Sequence, residues 1–226
     1  MKLKIIAFLS FIGLMFSGCR NHVGNPVEQE GTITYHISYP DSFRYGIGYS
    51  AFPKSMKLIF KGEKAAFITS AGFGMVEMVS ISDYDKQKFT SLLINHLGTS
   101  YGCVLTASEI KANESAAQYI FEPASETKTI AGLACRKIVV RDVNNETSFD
   151  IFRSDKIKFH YWNSPFKGMN NLLAEYKETI NNITMKLTVT DVDLTTPVDT
   201  GLFEINGSFK WVDQKEFFMR LDELRK

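Results

Sequence analysis

From Gly31 onward, apolar and polar residues alternate with a period of two, and that pattern constrains the fold more than anything else in the chain. Ile33, Tyr35, Ile37 and Tyr39 alternate with Thr32, Thr34, His36 and Ser38, so one face of a strand is bulky and the other polar. Met56, Leu58 and Phe60 alternate less cleanly with Lys57, Ile59 and Lys61. A strand around Val76–Ser82 is expected to meet one at Lys88–Asn95 across the turn-forming Asp83-Tyr84-Asp85-Lys86. Further strands are expected at Tyr101–Thr106, Gln118–Pro123, Cys135–Asp142, Thr147–Arg153, Leu172–Thr179 and Thr184–Leu194. Strands this frequent, separated by polar turns, predict an antiparallel sheet, sandwich or barrel.

Helical signals are few. Asp213 is placed to cap a final helix, with Glu216 completing a capping-box-like pair and Phe217, Leu221 and Leu224 forming an apolar stripe. Short helical pieces are expected near Ala107–Ser115 and Phe166–Asn171.

The first residues carry an address. Lys2 and Lys4 precede an apolar run from Ile5 to Phe16, then Ser17, Gly18 and Cys19. At about 1.5 Å per residue the run is too short to cross a roughly 30 Å hydrocarbon core as a helix. It has the layout of a secretory leader, and the cysteine after two small residues resembles the lipobox of bacterial lipoproteins. That resemblance implies cleavage after residue 18 and lipidation of Cys19, a membrane anchor through its acyl chains. The other reading is a plain signal peptide with Cys19 incidental. Arg20 stands where an inner-membrane retention aspartate would, so the expected location is the cell envelope, at the outer membrane and facing the periplasm. Residues 19–30 then read as lipidated N-terminus and linker, and 31–226 as the folded domain.

Composition removes several classes of function. The formal charge of +1 includes Lys2 and Lys4, so the chain beyond the leader is nearly neutral. It has no basic footprint for nucleic acid and no polybasic patch for anionic lipid. Beyond Cys19, Cys103 and Cys135 form an even remainder, read either as a disulfide or as two buried thiols. His22, His36, His96 and His160 show no metal-ligand spacing, and Asp83 and Asp85 lack the rest of a calcium loop. No metal or cofactor is expected.

Gly98-Thr99-Ser100-Tyr101-Gly102 matches the G-x-S-x-G pattern of hydrolases, with His160 downstream, which makes Ser100 the one candidate nucleophile, for an esterase. A β-prone stretch follows Ser100 where a nucleophile elbow needs a helix. Two glycine-bearing segments are richer in apolar groups. Phe43, Tyr45, Tyr49 and Phe52 lie in the first, and Phe73, Met75 and Met78 in the second. Mobile glycine beside methionine and aromatic rings suits a hydrophobic ligand or a protein partner, and equally suits a core that turns at glycine.

Three later segments carry a family resemblance. Residues Thr129-Ile130-Ala131-Gly132-Leu133-Ala134-Cys135-Arg136-Lys137 resemble a glycine turn and strand of lipoprotein carriers. Phe149–Lys156 resembles the next strand, and Pro197-Val198-Asp199-Thr200-Gly201-Leu202-Phe203-Glu204-Ile205 the closing segment. In this order they resemble the LolA/LolB type. The resemblance implies one curved antiparallel sheet, an incomplete barrel, with a few short helices including a C-terminal one. It implies a non-enzymatic lipoprotein that holds a hydrophobic or lipidic ligand, such as an acyl chain or a lipoprotein, in the half-barrel. The alternatives are an interaction subunit with a filled barrel, bound to an envelope protein partner, and the esterase at Ser100.

Overall fold

The computed structural model describes residues 29–41, 49–112, 119–144, 146–161, 166–180 and 183–223. The lipobox cysteine Cys19, with the whole leader, lies outside them, as do Phe43, Tyr45 and Leu224.

The alternation becomes one sheet. Its strands are β1 (Glu30–Ser38), β2 (Ser55–Lys61), β3 (Lys64–Ala71), β4 (Val76–Asp83), β5 (Lys88–Asn95), β6 (Tyr101–Thr106), β7 (Tyr119–Ile130), β8 (Leu133–Asp142), β9 (Thr147–Lys158), β10 (Asn171–Ile180), β11 (Ile183–Asp193) and β12 (Lys210–Trp211). They lie in the order β12-β6-β5-β4-β3-β2-β1-β11-β10-β9-β8-β7. Two antiparallel meanders, β1 to β6 and β7 to β11, are joined where β11 returns beside β1, pairing Ile33 with Val192 and Ile37 with Leu187. Only the two-residue β12 runs parallel to its neighbour β6. Helix α1 spans Ala107–Ala112 and α2 spans Gln214–Glu223.

Local chemistry sets the corners. Asp83 Oδ1 accepts from Lys86 N at 3.0 Å and tightens the β4–β5 turn. Ala131 and Gly132 both have positive φ, 47° and 77°, the two-residue turn that matches the twist of a hairpin. Asp213 Oδ1 accepts from Glu216 N at 2.8 Å, so α2 starts at its expected cap. The expected helical piece near Phe166–Asn171 is instead a turn running into β10.

Pairing assigns each side chain to a face. The face of Tyr35 carries Ile33, Ile37, Leu58, Phe60, Ile138, Val140, Ile151 and Leu187, covered by Phe159, Tyr161 and Phe166 from the β9–β10 connection. Each such side chain contributes roughly 1.5–3 kcal/mol by leaving water. At the β6 side of this face, Leu93, Cys103 and Leu105 pack against Ile110 of α1 and Phe217 of α2. The opposite face buries Ile59, Ala66, Val79, Ile81 and Leu92 under Val198 and Phe203, which follow β11.

Candidate functional site

One end of the strands gathers a group of the aromatic residues of the Tyr35 face. It is built from the ends of β1, β3, β5, β8 and β10 and the starts of β2, β4, β6, β7, β9 and β11, which the antiparallel registers bring together. Tyr39, Tyr49 and Phe52 meet edge to face, with Tyr39 centroids 6.0 Å from Tyr49 and 5.8 Å from Phe52. Lys54 Nζ sits 3.0 Å from the Tyr49 ring centre and donates to the Tyr49 carbonyl at 2.7 Å. Further round, Tyr119 contacts Phe149 at 5.8 Å, and Phe166 contacts Tyr176 at 5.5 Å.

Two tyrosines fix the backbone below this end. Leu173 lies beside an irregularity in the β9–β10 pairing, where ladder hydrogen bonds are lost. Tyr35 Oη donates to its carbonyl at 2.9 Å, and its N–H donates to Tyr161 Oη at 2.8 Å. Burial pushes both phenols well up, so they stay neutral donors and acceptors. Tyr39, which donates to the Pro53 carbonyl at 2.9 Å, is pushed up to about 12 by burial.

Among the carboxylates at this end, Glu178 lies beside the buried tyrosines Tyr161 and Tyr176. It pairs with Met185 on β11, and alternation places it on the face of Tyr176, two residues before it. It makes no hydrogen bond or ion pair with any described residue, unlike Glu175, which binds Lys128 at 2.8 Å and Lys186 at 3.1 Å. Its side chain keeps some contact with solvent, yet its crowded surroundings raise its pKa above the ordinary glutamate value of 4.5. Its charge also pushes Tyr161 and Tyr176 upward. A carboxyl disposed to keep its proton, beside aromatic rings at a partly open end, is equipped to donate that proton.

The expected residues divide. Tyr49 and Phe52 belong to this end; Phe73 and Met75 lie in the β3–β4 loop at the same end, Phe73 being 80% exposed with φ 57°. Met78 packs in the Leu93 cluster instead. The candidate disulfide is absent: Cys103 and Cys135 are free, buried and in different clusters, and Cys135 Sγ donates to the Leu133 carbonyl at 3.4 Å. Ser100 Oγ accepts from Asn95 N at 3.1 Å, a turn contact. His160 stacks on Tyr84 at 5.5 Å, at the other end of the strands, so it does not serve Ser100 as a base. Among the described residues no group of His, Cys, Asp and Glu is disposed to hold a metal. Glu178 was not among the expected residues, although an acid on the parity of Tyr176 was its signal.

The fold, a mainly antiparallel open sheet with two short helices among the described residues, is shared with solved structures. Solved structures of PNGF-II, a PNGase F-type enzyme, in two crystal forms each align with TM-score 0.53 and 16% identity over 86% of this chain. The chain spans about a third of the PNGF-II chain, 33% and 34% in the two forms. No protein-family model and no curated protein matches.

This likeness corrects the resemblance to LolA/LolB carriers. The segment around Gly132 is a two-residue hairpin turn, and Asp199 caps a short 3-10 turn by accepting from Gly201 N at 2.9 Å. Both solve problems that any large antiparallel sheet meets, so they do not identify a carrier. The non-enzymatic role, with a lipidic ligand in a half-barrel, was drawn from that resemblance. It falls with it, because the solved structures that share the fold are those of an enzyme. The Tyr35 face is filled by its own side chains, Tyr35, Phe60 and Phe166 among the largest.

Proposed function

We propose that this chain takes part in PNGase F-type processing of glycoproteins, with the aromatic end of the Tyr35 face engaging the glycosylated substrate and Glu178 serving as its proton donor. The observation that carries this reading is a carboxyl, raised in pKa by burial and without a hydrogen bond or ion pair to any described residue, beside Tyr176 and Tyr161 on a fold shared with a third of PNGF-II. Detaching a glycan leaves charge on the departing atom. A carboxyl that holds its proton more tightly than an ordinary glutamate relieves that charge by donating it, an effect worth roughly 10²–10⁴-fold in rate. Lys54, Tyr49 and Phe52 offer a cation and flat rings at the same end of the strands. The leader supplies the location in this proposal: lipidated at Cys19 and linked through residues 20–30, the domain works at the cell envelope.

The test is incubation of the purified chain with an N-glycosylated glycoprotein, with released glycan measured by mass spectrometry. Release by the unaltered chain, and its loss by about 10²-fold or more in Glu178→Gln, is the expected result. No release, or release untouched by Glu178→Gln, removes Glu178 from the chemistry.

A further inference from the structure

A second feature lies on the opposite face, eight strands from β10, at the β12 edge. Trp211 pairs with Gly102, so both point to the face of Leu92 and Val79. A Cβ at Gly102 would meet three consecutive atoms of the Trp211 six-membered ring, Cζ3, Cε3 and Cη2, at 2.6, 2.7 and 3.0 Å. Near-equal distances to three adjacent ring atoms mean that the ring lies over Gly102 by its face; an edge-on ring would hold the third atom much farther away. One face of the indole is therefore packed against backbone and the other turns outward, leaving Trp211 51% exposed. Phe209 flanks it, 6.0 Å away and inclined by 52°. Asn206 and Ser208, in the same segment, are exposed and have no side-chain hydrogen bond to any described residue.

We infer that Trp211 is a stacking platform for an uncharged pyranose ring, a binding site separate from the Glu178 end. The apolar area is one ring and the flank of a second, far below the roughly 800 Å² per partner of a stable protein interface. It suits a small ligand with a flat apolar face and a polar rim, and a pyranose offers axial C–H bonds on its face and hydroxyls at its edge. Asn206 and Ser208 supply donors and acceptors for that edge. The nearby charges are committed elsewhere: Lys210 approaches Glu216 at 3.7 Å, and Arg220 binds Glu216 at 3.0 Å. That favours a neutral sugar.

Tryptophan emission of the full chain reads this directly, since Trp162 and Trp211 are its only two tryptophans. Titration with N,N′-diacetylchitobiose and with a neutral mannose oligosaccharide should give a saturable change with at least one, and shield Trp211 from acrylamide quenching. Trp211→Ala should weaken binding more than about tenfold, and Trp211→Phe less. Glu178→Gln should bind unchanged, so failure of glycan release and failure of this platform are distinguishable. Absence of a saturable response to both sugars, or equal binding by Trp211→Ala, overturns the inference. If Trp211→Ala does not fold, loss of sugar-dependent shielding in Gly102→Ala, whose new methyl group tilts the ring, serves in its place.

Discussion

The hydroxyl of Tyr35 donates to the carbonyl of Leu173, 2.9 Å away and 138 residues along the chain. It ties the first strand to β10 where the ladder between β9 and β10 is irregular, and Tyr161 Oη satisfies the N–H of the same residue. Tyr35→Phe would leave that buried carbonyl without its donor, and Tyr161→Phe would strand the N–H. Each should cost about 1–3 kcal/mol in urea denaturation. The double variant should differ from the sum of the two, since both hydroxyls serve one residue.

Glu178 sets a pH dependence of definite sign. Its folded pKa is raised, so the folded state holds this proton more tightly than the unfolded chain does. The resulting stability is complete below the ordinary glutamate value of 4.5 and is lost as pH rises through the raised folded value. Glu178→Gln should therefore flatten the stability profile on that alkaline side. Thermal melts across pH 4–8 check it, and parallel profiles for the two proteins would contradict the assignment.

Asp193 runs the other way. Its Oδ1 accepts from Thr195 N at 2.9 Å and from Thr196 N at 3.0 Å, which lowers its pKa far below the ordinary aspartate value of 3.8. Its stabilisation is present above 3.8 and fades as pH falls below it, through the lowered value. Asp193→Asn should reduce stability at neutral pH and reduce the further loss on acidification, as measured by chemical denaturation at two pH values.

Two glycines should respond differently to the same added methyl group. At Gly31 the Cβ would lie 2.6 Å from the carbonyl oxygen of Asp193, part of the β11 backbone, which cannot swing aside. Gly31→Ala should cost about 1–3 kcal/mol or more. At Gly102 the obstacle is the Trp211 ring, which can leave, so Gly102→Ala should be milder and red-shift tryptophan emission.

The free thiols give a further check. Burial raises the pKa of both Cys103 and Cys135, which keeps them protonated and unreactive. A thiol reagent should label neither in the native protein and both after unfolding, and a reductant should leave the melting temperature unchanged.

Much of the sheet was legible in the sequence, and the reasons are local. β5, β6 and the β4–β5 turn follow from alternation and from the side chain of Asp83. β3 is silent by the same test: Ala65 and Ala66 are both buried, one on each face, so no alternation marks it. β12 is two residues long and owes its pairing to a neighbour a hundred residues earlier. The site was half visible. Tyr49 and Phe52 stood out as aromatics near glycine, whereas Glu178 gains its raised pKa only from the burial that the fold imposes on it. The carrier resemblance failed because its motifs record turns, which many antiparallel sheets share.

The position of β1 between β2 and β11 has a consequence for biosynthesis. As the chain emerges, β1 finds β2 at once, but its other edge waits for a strand made near the end. Until β11 arrives, Ile33, Tyr35 and Ile37 sit beside an open ladder able to recruit any extended segment nearby. The two meanders are thus sewn together down the middle of the sheet as the last act. Any stall before residue 193 leaves a sticky half-molecule, so the early half has to be shielded while the rest of the chain is made.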